Sequence, residues 1–149
     1  MRLAFVIQRY GPEVAGGAEA HCRGLAMALR ARHHVEVLTT CALDYITWKN
    51  HYPAGAAVVD DVTVTRYRNV QERDVGRFAT ISDLVFHDEH TRDDERRWIR
   101  ENGPVSPDLV RAVGSRRDVD FFLFYSYRYY TTAIGAGAAR GRAVFVPTA

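Results

Sequence analysis

The chain has 149 residues, 47% of them hydrophobic, with 20 basic residues against 18 acidic ones and a formal charge of +2. That length suits one domain with a real core, and a charge so evenly balanced argues against nucleic acid as a partner. All the basic residues but Lys49 are arginine; Cys22 and Cys41 lack CxxC spacing, so neither a zinc site nor a disulfide framework is implied. No apolar run approaches the roughly 18 residues of a membrane span, and MRLAFVIQRYG is too short before its glycines for a signal peptide. The expectation is a soluble, cytoplasmic chain, with peripheral attachment to the inner face of a membrane left open.

Residues 3–7, LAFVI, form a continuous apolar run, as in a strand covered on both faces of a parallel sheet. Ala18, Cys22, Leu25, Ala26 and Leu29 then recur at helical spacing, which predicts an amphipathic helix of about four turns with Cys22 as a small core residue. HVEVLTT, 34–40, reads as a second strand and closes a strand-helix-strand unit. Pro53 and Gly55 mark turns in an irregular stretch; Asp60-Asp61 forms another, ahead of a strand in which Val62 and Val64 alternate with Thr63 and Thr65.

Residues 82–101 predict a helix, polar in its middle, with Asn102-Gly103 as its C-cap and Pro104 beyond. Ser106-Pro107 supplies an N-cap and first-turn proline for the next helix, DLVRAVG. DFFLFYSY, 120–127, is a strong buried strand; TTAIGAGAA is a helix of small residues that must pack closely, and AVFVP is a last strand. Strands interleaved with helices predict an α/β fold with a doubly wound, mainly parallel sheet ordered 3-2-1-4-5 in three α/β/α layers.

In such a sheet ligands sit beyond the carboxyl ends of the strands, where the first strand delivers GPEVAGGAEAHC, residues 11–22. Gly16 and Gly17 stand just before Ala18 and Glu19 at a helix start, whose free N–H groups and dipole favour an anion. Two readings stay open: something negatively charged touches the main chain there, or the pair only tightens a strand-to-helix turn. Neither GxGxxG nor a loop ending in GK[ST] is present, which disfavours ordinary NAD binding and the phosphate-loop chemistry.

The stretch AFVIQRYGPEVAGGAEAHCRGLAMALRARHHVEVLTT resembles the start of family 4 glycosyltransferases of the GT-B fold, with their strand, loop, GGAE, helix and following strand. ALDYITWKNHYPAG, NGPVSPDL, FYSYRYYTT and VFVPTA resemble an actinobacterial-type branch of that family, so the likeness covers essentially the whole chain. It implies a retaining enzyme with two Rossmann-like domains, the N-terminal one receiving the acceptor and the C-terminal one the nucleotide-sugar, with no obligatory metal. Residues 1–149 would be the N-terminal, acceptor-side domain, incomplete at its C-terminal end, with the donor domain absent from this chain. The glycine pair would lie near donor phosphate or acceptor, the helix N-terminus stabilising charge on the departing diphosphate. Departures are His33 where the family has glycine, Asp60-Asp61-Val62 in place of a DGV turn, and an end at Ala149 before the family's histidine and acidic motif. The rival readings are a stand-alone nucleotide- or phosphate-binding module without catalysis, and a Rossmann oxidoreductase, which the absent fingerprint disfavours.

Candidate substrate-binding residues are Gly16, Gly17 and Glu19 from the loop, Asp44 and Tyr45 after the second strand, and Ser126, Tyr127, Tyr130 and Thr131 after the fourth. Tyr129 belongs to the same run of hydroxyls and rings, which suits sugar binding. Asp44 either meets acceptor hydroxyls or only caps a turn. HDEHTRDDE, 87–95, carries His87 and His90 among carboxylates, but a solvated helix face laced with Arg92, Arg96 and Arg97 explains it better than a metal. Arg92, Arg96 and Arg100 share a face that suits anionic lipid, yet Glu89 and Asp93 share it too. The isolated chain is expected to be catalytically silent and to self-associate through AVFVP as an exposed sheet edge.

Overall fold

The computed structural model describes residues 1–148. Its sheet has six strands in the order β3-β4-β2-β1-β5-β6. These are β1 (Arg2–Val6), β2 (His34–Thr40), β3 (Gly55–Val59), β4 (Val62–Tyr67), β5 (Phe121–Tyr125) and β6 (Ala143–Val146). Neighbours run parallel except the β3–β4 hairpin. The five strands expected from the sequence occur in the expected order; β3 is an addition on the far edge. Its residues are small and exposed, Val58 to 72%, so it carries almost no burial signal. Asp60 and Asp61, both at positive φ, make the tight turn that creates it. Arg23 of helix α1 (Gly17–Leu29) and Arg30 at its C-cap pair with Asp60 and Asp61 and hold this turn to the helix.

Alternation along β1 divides the core. Leu3, Phe5 and Ile7 join Ala18, Cys22 and Ala26 of α1 in one cluster, while Ala4 and Val6 join Leu109 and Val113 of helix α4 (Pro107–Ser115) in another. Successive strand residues point to opposite faces, so a strand with both sets fully buried needs cover on both. The bidentate contact of Arg116 with Glu36, at 3.0 and 2.6 Å, ties the end of α4 to β2.

Three local expectations need correction. The helix read through 82–101 is two helices, α2 (Val75–His87) and α3 (Arg92–Asn102). The break falls where Thr91 and Asp94 form a reciprocal capping box, a helix start that outcompetes continuation. Ser106 stands at the α4 N-cap but does not cap it; its hydroxyl donates to Arg68 O at 2.9 Å. TTAIGAGAA is interrupted at Ile134 into the single turns α5 (Tyr130–Ala133) and α6 (Gly135–Ala138). Close packing there is real: a Cβ on Gly135 would come within 3.0 Å of Phe124. Gly103 does end α3, at φ 69°. AVFVP does form an edge, with Val144 and Phe145 exposed.

Candidate functional site

Beyond the carboxyl ends of β1, β2 and β5 lies a cavity of about 230 Å³. β1 places Gln8 and Arg9 there, the loop before α1 brings Gly16, Gly17 and Glu19, and Tyr45 and Ser126 arrive from the segments after β2 and β5. β1 pairs with both β2 and β5, and its helix connects it to β2, so this is where strand order reverses and a crevice opens.

Its floor is an ion pair. Arg9 Nη2 and Nε donate to Glu19 Oε1 at 2.7 and 3.0 Å, and Gln8 Nε2 donates to the same oxygen at 3.1 Å. The remaining Arg9 donors reach Leu43 O and Ala15 O at 2.9 and 3.0 Å. Both side chains are under a tenth exposed, so Arg9 is a peg joining the glycine loop to the segment after β2. Glu19 is thus a counter-ion rather than a free ligand group, and the pair adds no net charge to the cavity.

The two glycines serve different needs. A Cβ on Gly16 would lie 2.1 Å from Glu19 Oε2, so the carboxylate folding back across the N-cap demands glycine there. A Cβ on Gly17 meets nothing within 4 Å; its side faces open space. Gly17, Ala18 and Glu19 begin α1 after a cap without a side chain, so their N–H groups find no acceptor within the helix. Turn geometry therefore accounts for Gly16, while Gly17 leaves the main chain reachable for an anion. Gly17→Ala is expected to hold or raise stability by up to about 1 kcal/mol, whereas Gly16→Ala lowers it. Urea melts of both variants decide this; equal losses would end the distinction.

The other candidates separate. Tyr45 lies on the cavity wall with the Arg9 guanidinium 5.3 Å from its ring centre. Ser126 sits in the left-handed region at φ 61°, its Oγ 3.1 Å from Thr148 Oγ1. Tyr127 is exposed and lines a different cavity. Tyr130 and Thr131 are buried in α5 and do not line this one. Asp44 binds its own loop: Oδ1 accepts from the N–H groups of Ile46 and Thr47 at 2.8 and 2.7 Å, and Oδ2 from the Thr47 hydroxyl. Tyr129, of the same predicted run, does line the cavity; Arg9, Gln8 and Arg128 were not among the sequence candidates, although Arg9 two residues past the apolar run LAFVI was a detectable signal. His87 pairs with Asp83 and His90 with Glu95, each a two-residue contact.

The loop that carries Tyr45 is expected to respond to pH through Asp44. Burial opposes ionisation of Asp44, but hydrogen bonds from Thr47 and Ile46 outweigh it and hold the carboxyl below the ordinary carboxylate range. A lowered folded pKa means stabilisation that is present above the unfolded value and lost as pH falls through the folded one. The Ile46 and Thr47 amide resonances are expected to titrate together with a midpoint below about 3.9. A midpoint at or above that value would show that these bonds do not favour the carboxylate.

No family model, curated protein or solved structure matches this chain. The geometry of the crevice, read with the sequence, is what bears on function.

Proposed function

We propose that this chain is the acceptor-side, Rossmann-like domain of a retaining glycosyltransferase of the family 4, GT-B type, doubly wound in three layers. The full enzyme moves a sugar from a nucleotide-sugar to an acceptor, with no obligatory metal. The observation that carries the reading is Gly17. It is the second glycine of the GGAE junction, it opens into the crevice, and the N–H groups beside it have no acceptor within the helix. An anion held there is stabilised by the helix dipole as charge develops on a departing diphosphate. At about 230 Å³ the crevice is smaller than most complete ligand pockets. In a two-domain enzyme the facing domain supplies the second wall, excludes water and positions the donor.

On this reading the protein works in the cytoplasm or at the inner face of the membrane. Its partners are a nucleotide-sugar, an acceptor and a donor domain, and the β6 edge is open to a further strand from another molecule. The test is a transfer assay over common nucleotide-sugars with the 149-residue chain and with any longer protein carrying it, alongside calorimetry with nucleoside diphosphates. Transfer with retained anomeric configuration by the longer protein, and none by the chain alone, is expected. Turnover by the chain alone sinks the two-domain assignment; tight diphosphate binding with no transfer by either favours a nucleotide-binding module instead.

A further inference from the structure

A second cavity, of about 620 Å³, opens between the α2–α3 hairpin and the segment after β5. Phe78, Val85 and Phe86 of α2 and Trp98 and Ile99 of α3 supply its apolar wall. The hairpin has little core of its own. Ile81 is the buried residue of α2 and Asn102 that of α3, and the rings meet one another, with Phe78 and Phe86 centred 5.9 and 5.6 Å from Trp98. Phe86 stays 65% exposed. Apolar area left open in this way favours an apolar occupant, because each Å² removed from water is stabilising.

Arg128 lines this cavity and the Gly17 crevice alike. Its guanidinium donates to Tyr129 Oη at 3.0 Å and lies 5.1 Å from that ring's centre. Among the described residues it forms no ion pair. The other charged group on the apolar cavity, Glu95, is already engaged by His90 Nε2 at 3.5 Å. An unpaired cation thus stands at the junction of an apolar groove and an anion-friendly crevice.

We propose that the two cavities hold one molecule, a single-chain amphiphile with an anionic head. Its phosphate or carboxylate rests on Arg128, where the groove meets the Gly17 crevice, and its tail lies among Phe78, Val85, Phe86, Trp98 and Ile99. That this molecule is the acceptor rests on the transferase reading; that it binds does not. Charge complementarity selects the head, and the volume, within the range of small-molecule sites, admits a tail.

The test titrates the full chain with dodecyl phosphate below its micelle-forming concentration, read by Trp98 fluorescence against the buried Trp48. Arg128→Gln is expected to weaken dodecyl phosphate at least tenfold while changing the uncharged dodecyl glucoside less than twofold. Val85→Trp, which fills the groove, is expected to weaken both at least tenfold with an unchanged circular dichroism spectrum. If that variant fails to fold, Phe86→Asp at the exposed rim takes its place. Wild-type affinity in the filled variant, or equal losses for both probes in Arg128→Gln, overturns the proposal. So does capture of the chain by anionic phospholipid vesicles without binding of monomeric dodecyl phosphate, which makes the face a membrane contact. Dimers abolished by Phe86→Asp overturn it in favour of a second copy of this chain. Binding by the chain with no transfer by any longer protein carrying it refutes the transferase reading alone, and transfer by the longer protein with no binding by the chain refutes the amphiphile alone.

Discussion

Glu19→Ala is expected to lower the unfolding free energy by about 3–5 kcal/mol, the usual cost of leaving one member of a buried ion pair without its partner. Arg9 would keep its bonds to Leu43 O and Ala15 O but lose both contacts to Glu19 Oε1. With both side chains under a tenth exposed, water does not readily replace the carboxylate. The double variant Arg9→Met/Glu19→Leu is expected to recover a good part of the loss, because it removes the buried charge together with its counter-ion. Equilibrium urea unfolding measures all three proteins. A single-variant loss below about 1 kcal/mol would place the pair with ordinary surface ion pairs instead. The same carboxylate gives a coupling test. Gly16→Ala clashes with Glu19 Oε2, so the part of its cost due to that clash should vanish in the Glu19→Ala background.

The second large effect is expected at Arg73. Its Nε and Nη2 donate to Asn102 O at 2.8 and 2.6 Å, and Nη2 also reaches Asn102 Oδ1 at 2.6 Å. Its Nη1 donates to Tyr45 O and Ile46 O at 2.9 and 3.2 Å. The guanidinium lies 4.9 Å from the Trp48 ring centre and 4.7 Å from that of Phe78. Asn102 Nδ2 in turn donates to Arg128 O. One planar cation therefore joins the Tyr45 wall of the crevice, the start of α2, the end of α3 and, through Asn102, the segment bearing Arg128. Burial lowers its pKa from a very high ordinary value, so it remains charged at neutral pH. Arg73→Met should cost about 2–4 kcal/mol, since bonds from charged donors are worth about 1.5–3 kcal/mol each and several carbonyls would lose theirs. Arg73→Lys should not rescue it, because an ammonium cannot serve these carbonyls as a fork. Urea melts and faster amide hydrogen exchange in the α2–α3 hairpin report the loss. Wild-type stability in Arg73→Lys would show that charge alone, not the planar geometry, holds the junction.

Two strands that build the crevice were legible because parallel strands buried on both faces read as apolar runs, LAFVI and FFLFY, while HVEVLTT was read as the strand closing the strand-helix-strand unit. α1 was legible because Ala18, Cys22 and Ala26 repeat at one helical face. The break between α2 and α3 was hidden by the polar run around it, although Thr91-x-x-Asp94 is a readable start. β3 was hidden because all its residues but Val59 are exposed, and only the turn at Asp60-Asp61 brings it against β4. At the site, the segment after the first strand and the GGAE junction marked the place. Tyr130 and Thr131 were drawn in by their hydroxyls, but the fold buries both residues away from the crevice.

Local rules in the sequence, the period of burial and the chemistry of turns, determined the parallel strands, their order and the edge on which a ligand would be met. They could not separate Gly16 from Gly17, since both lie in one turn. Only the tertiary structure did so, because the Glu19 carboxylate is drawn back over the first by Arg9 and leaves the second open. The same holds for Arg73 and Asn102, 29 positions apart, and for Arg128 between two cavities. Such pairings are set by how the chain closes on itself, and the periodicity of a segment carries no information about which distant side chain it will meet.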